Sequence, residues 1–295
     1  MVWGRARGAR VVRWMALVGM GLALGACGDD DGGGADAGED AGPVDAWVPG
    51  DAGETVRWSV TVRDLVSGDP VQLAEVCVFG FPQLPCGTTD RMGETALDVP
   101  VNLELQLRTT ALRYFPTLTT YVADDAPRDV DIDLGKTSNI TPLIASVGVT
   151  LDDTKGQLAF LAQSGPGDGL EGVAASLDPA SGEGPFYTNG SIPDETLEAT
   201  SDDGLGVFGN VDPGAVDVVY ANPNGGCAPS EGWPSPTADA LSTHIEPGHL
   251  TIVIARCDPP PVDAGIDAGP ADAGVEDAGA MDAGAMDAGP ADAGM

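Results

Sequence analysis

Histidine is almost absent from this chain: His244 and His249 are the two in 295 residues. They lie in His244-Ile245-Glu246-Pro247-Gly248-His249, with neither a His-Glu-x-x-His nor a His-x-x-Glu pair. A catalytic zinc takes three protein ligands and keeps a position open for water, which this segment would supply only through a very tight turn. The segment reads instead as a turn entering the last strand. A Ser-His-acid set would have to borrow one of these histidines, and no Gly-x-Ser-x-Gly elbow occurs. Basic residues are scarce too. Lys and Arg number 13 against 46 Asp and Glu, a formal charge of -33. Such a field repels nucleic-acid phosphate, which excludes nucleic acid as a partner, and disfavours anionic headgroups. Long apolar runs are also missing. The main one, Trp14–Ala26, falls short of the ~20 residues that span a bilayer. The expectation is a chain that is not an enzyme and carries no metal or cofactor.

What is present begins with an address. Arg5, Arg7, Arg10 and Arg13 precede the apolar run with no acid among them, the pattern of an export leader. The run ends in Leu24-Gly25-Ala26-Cys27. This resembles the lipobox of bacterial lipoproteins, an aliphatic residue and two small ones before a cysteine. The resemblance implies a leader over 1–26, cleavage before Cys27 and a diacylglycerol on its thiol. Acyl chains bury about 0.8 kcal/mol per CH₂, so two or three make a lasting membrane anchor. Gly28 follows where an Asp would favour the inner membrane, so the resemblance points to the outer membrane.

Acidic, Gly-rich sequence flanks a mixed middle. Residues 27–55 carry nine acids and no base, with Asp-Ala-Gly at 36, 40 and 51. Residues 258–295 also carry nine acids and no base, with Asp-Ala-Gly at 263, 267, 272, 277, 282, 287 and 292. Neither buries enough apolar area to offset chain entropy, so both read as disordered, the first as a tether. The five-residue period fits neither a coiled coil nor a calcium β-roll.

Period-two alternation marks the middle as strands. Trp58, Val60 and Val62 alternate with Arg57, Ser59, Thr61 and Arg63. Leu103, Leu105 and Leu107 alternate with polar residues, as do Val130, Ile132 and Leu134. Shorter candidates lie at 73–79, 94–99 and 118–122. Thr141-Pro142 to Gly148 has the frame of a two-turn helix, Thr at the N-cap and Pro first. Strands resume at 157–162, 172–177, 206–210, 215–220 and 249–256. The division is a first domain at 56–137, a connector at 138–156 and a second domain at 157–257.

The two halves look alike. Leu73-Ala74-Glu75-Val76, Thr88-Thr89-Asp90, Gly93, Leu97 and Pro100 line up with Leu170-Glu171-Gly172-Val173, Thr200-Ser201-Asp202, Gly204, Phe208 and Pro213-Gly214. The order holds with one-residue shifts and a longer insertion in the second half. Both resemble the carboxypeptidase regulatory-like domain, whose signature is a Thr-x-x-Asp-Gly turn, a core aromatic or Leu, then Pro-x-Gly. The second half matches at Thr200, Asp203-Gly204, Phe208 and Pro213-Gly214; the first departs at Met92-Gly93 and lacks Gly after Pro100. The resemblance implies an all-β chain of two tandem Greek-key, transthyretin-like β-sandwiches, and no activity, since fold alone does not carry one.

Setting Cys27 aside, four cysteines remain, in an oxidising compartment. Four allow three pairings. The expectation is Cys77–Cys86, closing a short loop off a strand, and Cys227–Cys257, tying a loop to the last strand. Gly204-Leu205-Gly206-Val207-Phe208-Gly209 fits the dinucleotide fingerprint by letter, but a strand pattern follows where a helix belongs. Asp129, Asp131 and Asp133 lack the glycine and closing Glu of an EF-hand. The residues left for recognition sit in two long segments, 178–199 and 222–243, with Phe186, Tyr187 and Trp233 as candidate ligand contacts. The function expected is a non-catalytic, envelope-anchored structural or binding protein. The alternative is a module binding carbohydrate or peptide beside a secreted hydrolase, with a glycan or an envelope protein as partner.

Overall fold

The computed structural model describes residues 53–190 and 192–261. The expected leader, Cys27, most of the tether and the Asp-Ala-Gly repeats of the tail lie outside the described residues. The first half holds β1 (Thr55–Asp64), β2 (Glu75–Val78), β3 (Gly87–Thr88), β4 (Glu94–Pro100), β5 (Leu103–Thr110), β6 (Thr117–Ala123) and β7 (Asp129–Leu134). Helix α1 (Thr137–Ser146) follows. The second half holds β8 (Gly156–Gly165), β9 (Asp168–Gly169), β10 (Ala174–Asp178), β11 (Glu183–Asn189) and β12 (Ile192–Asp194). It continues with β13 (Leu205–Val211), β14 (Gly214–Ala221), β15 (Cys227–Glu231), β16 (Trp233–Pro234), β17 (Ala240–Ile245) and β18 (Leu250–Cys257).

In each half two sheets enclose a core. The first packs β4-β1-β7 against β6-β5-β2-β3. Alternation drives this: Trp58, Val60 and Val62 of β1 point in with Leu97, Val99, Val130 and Ile132, toward Val76, Leu105, Leu107 and Tyr121. The second packs β13-β8-β18 against β10-β14-β17 around Phe160, Tyr187, Phe208, Val218, Tyr220 and Val253. Burying a side chain of this size contributes about 1.5–3 kcal/mol. Aromatic edges meet inside both cores, Trp58 with Tyr121 at 5.7 Å and Phe160 with Tyr220 at 5.9 Å.

The halves repeat the same hydrogen bonds around one turn. Thr89 Oγ1 donates to the Val71 carbonyl and accepts from the Ala74 N–H. Thr200 Oγ1 donates to the Leu170 carbonyl and accepts from the Val173 N–H. The Val62 N–H donates to Gly93 O and the Val71 N–H to Val62 O; Ala162, Gly204 and Leu170 do the same. Each half thus closes one knot, in which a buried threonine satisfies backbone groups that no ladder reaches. The pairing follows suit: β1 is antiparallel to β4 and parallel to β7, and β8 is antiparallel to β13 and parallel to β18. These bonds correct the alignment read from sequence. Thr89, not Thr88, matches Thr200, and Leu73-Ala74 matches Gly172-Val173.

The two halves share one sheet. The first residues of β18, Leu250–Ile252, pair in parallel with β6 of the first half. The rest of that edge pairs with β15. A polar seam backs the junction. Gln106 Nε2 lies within hydrogen-bonding distance of Thr120 Oγ1, Thr243 Oγ1 and the His244 carbonyl at 3.1, 3.1 and 2.8 Å. Phe79 stacks on the His244 ring at 6.3 Å. Gln106 is therefore buried, although its strand alternates like one with a wet face.

Two further differences from the sequence reading stand out. Helix α1 starts a turn before Thr141, so Pro142 lies inside it and leaves the Ser138 carbonyl without a helical donor. Gly148 does end it, at φ 77. The two segments read as loops contain strands β11, β12, β15 and β16, and β17 begins at Ala240. Their short, Pro- and Gly-broken runs hide the alternation; β11 is only partly buried and β15 mostly exposed.

Candidate functional site

The outer faces of the equivalent sheets differ. In β1, β4 and β7 that face carries Ser59, Thr61, Glu94, Asp98, Asp129 and Asp131 and meets water. The register places Ala159, Leu161, Leu205, Ile252 and Ile254 of β8, β13 and β18 at the positions of Ser59, Thr61, Glu94, Asp129 and Asp131. Helix α1 lies on this apolar floor, burying Ile140, Ile144 and Val147 with Val149, Ala159 and Leu250. The inserted hairpin β11–β12 flanks it, pairing β11 onto the free edge of β13. The helix covers part of the floor. Between helix, floor and hairpin is a cleft of about 530 Å³, within the range of small-molecule sites. Leu143, Leu161, Phe186, Leu205, Val207 and Ile252 line it and stay only half-buried. The elements that enclose it, α1 and β11–β12, are among those the second half adds to the repeat.

Among the described residues, the lining contains no Lys, Arg or His. Its polar groups gather toward the start of β13, at Thr188, Asp202 and Asp203. Asp203 is engaged in the turn, accepting from the Leu205 N–H at 3.1 Å and from the Thr188 hydroxyl at 2.6 Å. Asp202 is exposed. Gly167, Gly169 and Gly190 complete this rim.

The candidate contacts fall in different places. Phe186 lines the cleft. Tyr187, its neighbour on β11, turns the other way, is 3% exposed, and accepts the Ala175 N–H through its hydroxyl. Trp233 is half-buried on β16, where its indole N–H lies 3.3 Å from the Leu105 carbonyl and 3.1 Å from that of Tyr121. It belongs to the seam rather than to an open loop, and the three do not form one surface. The signal that could have found the cleft is the loss of alternation in Leu158-Ala159-Phe160-Leu161, apolar on both faces.

Both expected bridges are present, Cys77–Cys86 and Cys227–Cys257. Among the described residues, the group with metal-ligand spacing is Glu75, Cys77 and Cys86, and its sulfurs are spent in a disulfide. His244 Nε2 sits 2.9 Å from Glu246, and His249 Nδ1 lies 2.8 Å from the Pro247 carbonyl. In the glycine-rich run, Gly204 takes φ 67 in the turn and Gly206 lies against the Phe160 ring. At the foot of α1, Lys136 Nζ and the Tyr114 hydroxyl meet the buried Asp64 carboxylate at 2.6 and 2.9 Å. Burial pushes this carboxyl up, but Lys136, the Ser67 N–H, Tyr114 and the Val66 N–H outweigh it and hold it at about 2.

No protein-family model and no curated protein matches the chain. Solved structures similar to it include the Bacillus anthracis TIE protein, 12% identical over 68% of this chain and 33% of that one, TM-score 0.24. A Streptococcal ancillary pilin is 12% identical over 69% of this chain and 62% of that one, TM-score 0.22. The shaft pilin SpaA from Lactobacillus rhamnosus GG is 11% identical over 68% and 97%, TM-score 0.21. The chain thus spans a third of the first and under two thirds of the second. At such identities and TM-scores the likeness says nothing of what this chain binds.

Proposed function

We propose that this chain is a non-catalytic lipoprotein of the cell envelope, anchored through lipid on Cys27, with the β-sandwich pair as its rigid working part. The observation that carries this reading is the junction at Cys27. An apolar run ends there in Leu-Gly-Ala-Cys, and acidic, Gly-rich sequence begins at once. In this reading residues 27–55 are a self-repelling spacer that lifts the fold off the outer membrane. The two halves serve as carboxypeptidase regulatory-like modules without chemistry of their own. The shared sheet, the polar seam and one disulfide in each half support a rigid structural or binding body. A glycan-binding module draws less support, because Tyr187 and Trp233 are engaged within the fold.

The test is fractionation with metabolic acyl labelling. The wild-type chain is expected in the membrane fraction with label, and Cys27→Ser unlabelled in the soluble envelope fraction. Equal distribution of the two, without label on either, overturns the anchor.

A further inference from the structure

We propose that the cleft between α1, the β11–β12 hairpin and the outer face of β13-β8-β18 is a binding site for a single-chain amphiphile with a cationic amine head. The inference does not depend on the anchor. It starts from the duplication. The same strand positions carry polar side chains to water in one half and apolar ones in the other, at five places: Ser59 against Ala159, Thr61 against Leu161, Glu94 against Leu205, Asp129 against Ile252 and Asp131 against Ile254. A sheet of this kind therefore folds with a wet outer face. The second half replaces it with an apolar one, yet leaves Leu161, Leu205, Val207 and Ile252 half-exposed rather than sealed by the helix. Half-exposed apolar surface in a concave site gains free energy when an apolar body displaces its water.

Shape and charge choose the occupant. The floor runs from Leu205 to Gly209, about 13 Å at roughly 3.3 Å per residue, which suits an extended alkyl chain rather than a ring. At the start of β13 the cleft meets exposed Asp202, and among the described residues no cation lines it. A carboxylate or phosphate head would face Asp202 without a counter-charge, whereas an ammonium would gain a charge-assisted hydrogen bond there. Asp203 stays committed to Thr188 and the Leu205 N–H, so it shapes the rim without serving the ligand.

The probes are decylamine and decanoate, titrated calorimetrically into the full mature chain carrying Cys27→Ser, so that no attached acyl chain competes. The expected result is one decylamine per chain, bound at least tenfold more tightly than decanoate, with Asp202→Asn narrowing that gap. Leu161→Thr, which installs the residue the first half tolerates at the same position, is expected to weaken decylamine at least tenfold with an unchanged circular dichroism spectrum. Asp202→Asn changes no buried group and reports on the head even if Leu161→Thr perturbs the floor. Absence of decylamine binding overturns the proposal. So does decanoate binding as tightly as decylamine, or decylamine binding unaffected by both variants. A dimer that sedimentation detects and decylamine leaves intact would show the cleft to be a contact between copies, and would overturn it too.

Discussion

Leu73 stands at φ 58, a left-handed conformation that costs an L-residue with a Cβ roughly 1–2 kcal/mol. Its side chain is 78% exposed, so packing returns little. The equivalent residue in the second half is Gly172, at φ 86, where an added Cβ would meet nothing. The repeat therefore contains its own control. Leu73→Asn is expected to raise stability by about 0.5–1 kcal/mol, since Asn tolerates this region. Gly172→Ala, by the same logic, lowers it by about 1 kcal/mol. Urea melts of both variants check the pair. Asp64 gives a second residue-scale prediction. Its carboxyl titrates at about 2 in the folded chain against 3.8 ordinarily. A depressed folded value means the stabilisation is complete above pH ~4 and fades as pH falls toward 2, about 2 kcal/mol in all. Asp64→Asn never has this charge to lose. The stability gap between wild type and Asp64→Asn should close as urea melts are taken from pH 5 to pH 2; a gap independent of pH would contradict the assignment.

At the scale of elements, the disulfides secure different things. Cys77–Cys86 spans nine residues and Cys227–Cys257 spans thirty. Loop-closure entropy gives about 2.6 kcal/mol for the first and about 3.6 kcal/mol for the second. The longer bridge also joins β15 to the end of β18, the strand through which the halves share a sheet. Replacing Cys227 and Cys257 together by Ser should cost more than replacing Cys77 and Cys86, and hydrogen exchange should rise along β18 only in the former. Equal losses would show that closure length does not govern. Elements with clean alternation, such as β1 and β7, were legible in the sequence to within a residue or two, because one face of each is wet. Strands β8 and β18 were legible as strands, but their second apolar face was not read as a surface waiting for a helix. β11 and β12 stayed hidden because cross-strand pairing, of β11 with β13 and of β12 with β11, rather than their own composition, makes them strands.

For the whole molecule, the duplication explains both the architecture and the cleft. Sequence alone exposed the repeat through its turn residues, Gly93 with Gly204 and a threonine ahead of each. It misplaced the first threonine by one, since Thr88 and Thr89 are indistinguishable until the bonds of the knot are seen. It also placed Trp233 in a loop as a candidate ligand contact, because its acceptors, Leu105 and Tyr121, lie more than a hundred positions away in the other half. Contacts that distant leave no local periodicity to read. The acidic flanks, the lipobox-like junction and the scarcity of histidine fit one account: a rigid, duplicated β body held at an envelope surface and serving through binding or structure. The central claim of that account is the fate of the thiol at position 27. Intact-mass measurement of the native protein, extracted from membranes with detergent, tests it most directly. The account predicts a chain starting at Cys27, heavier than its polypeptide by a glyceride and acyl groups, with four cysteines oxidised. A chain that still carries residues 1–26 with an unmodified Cys27 would contradict it.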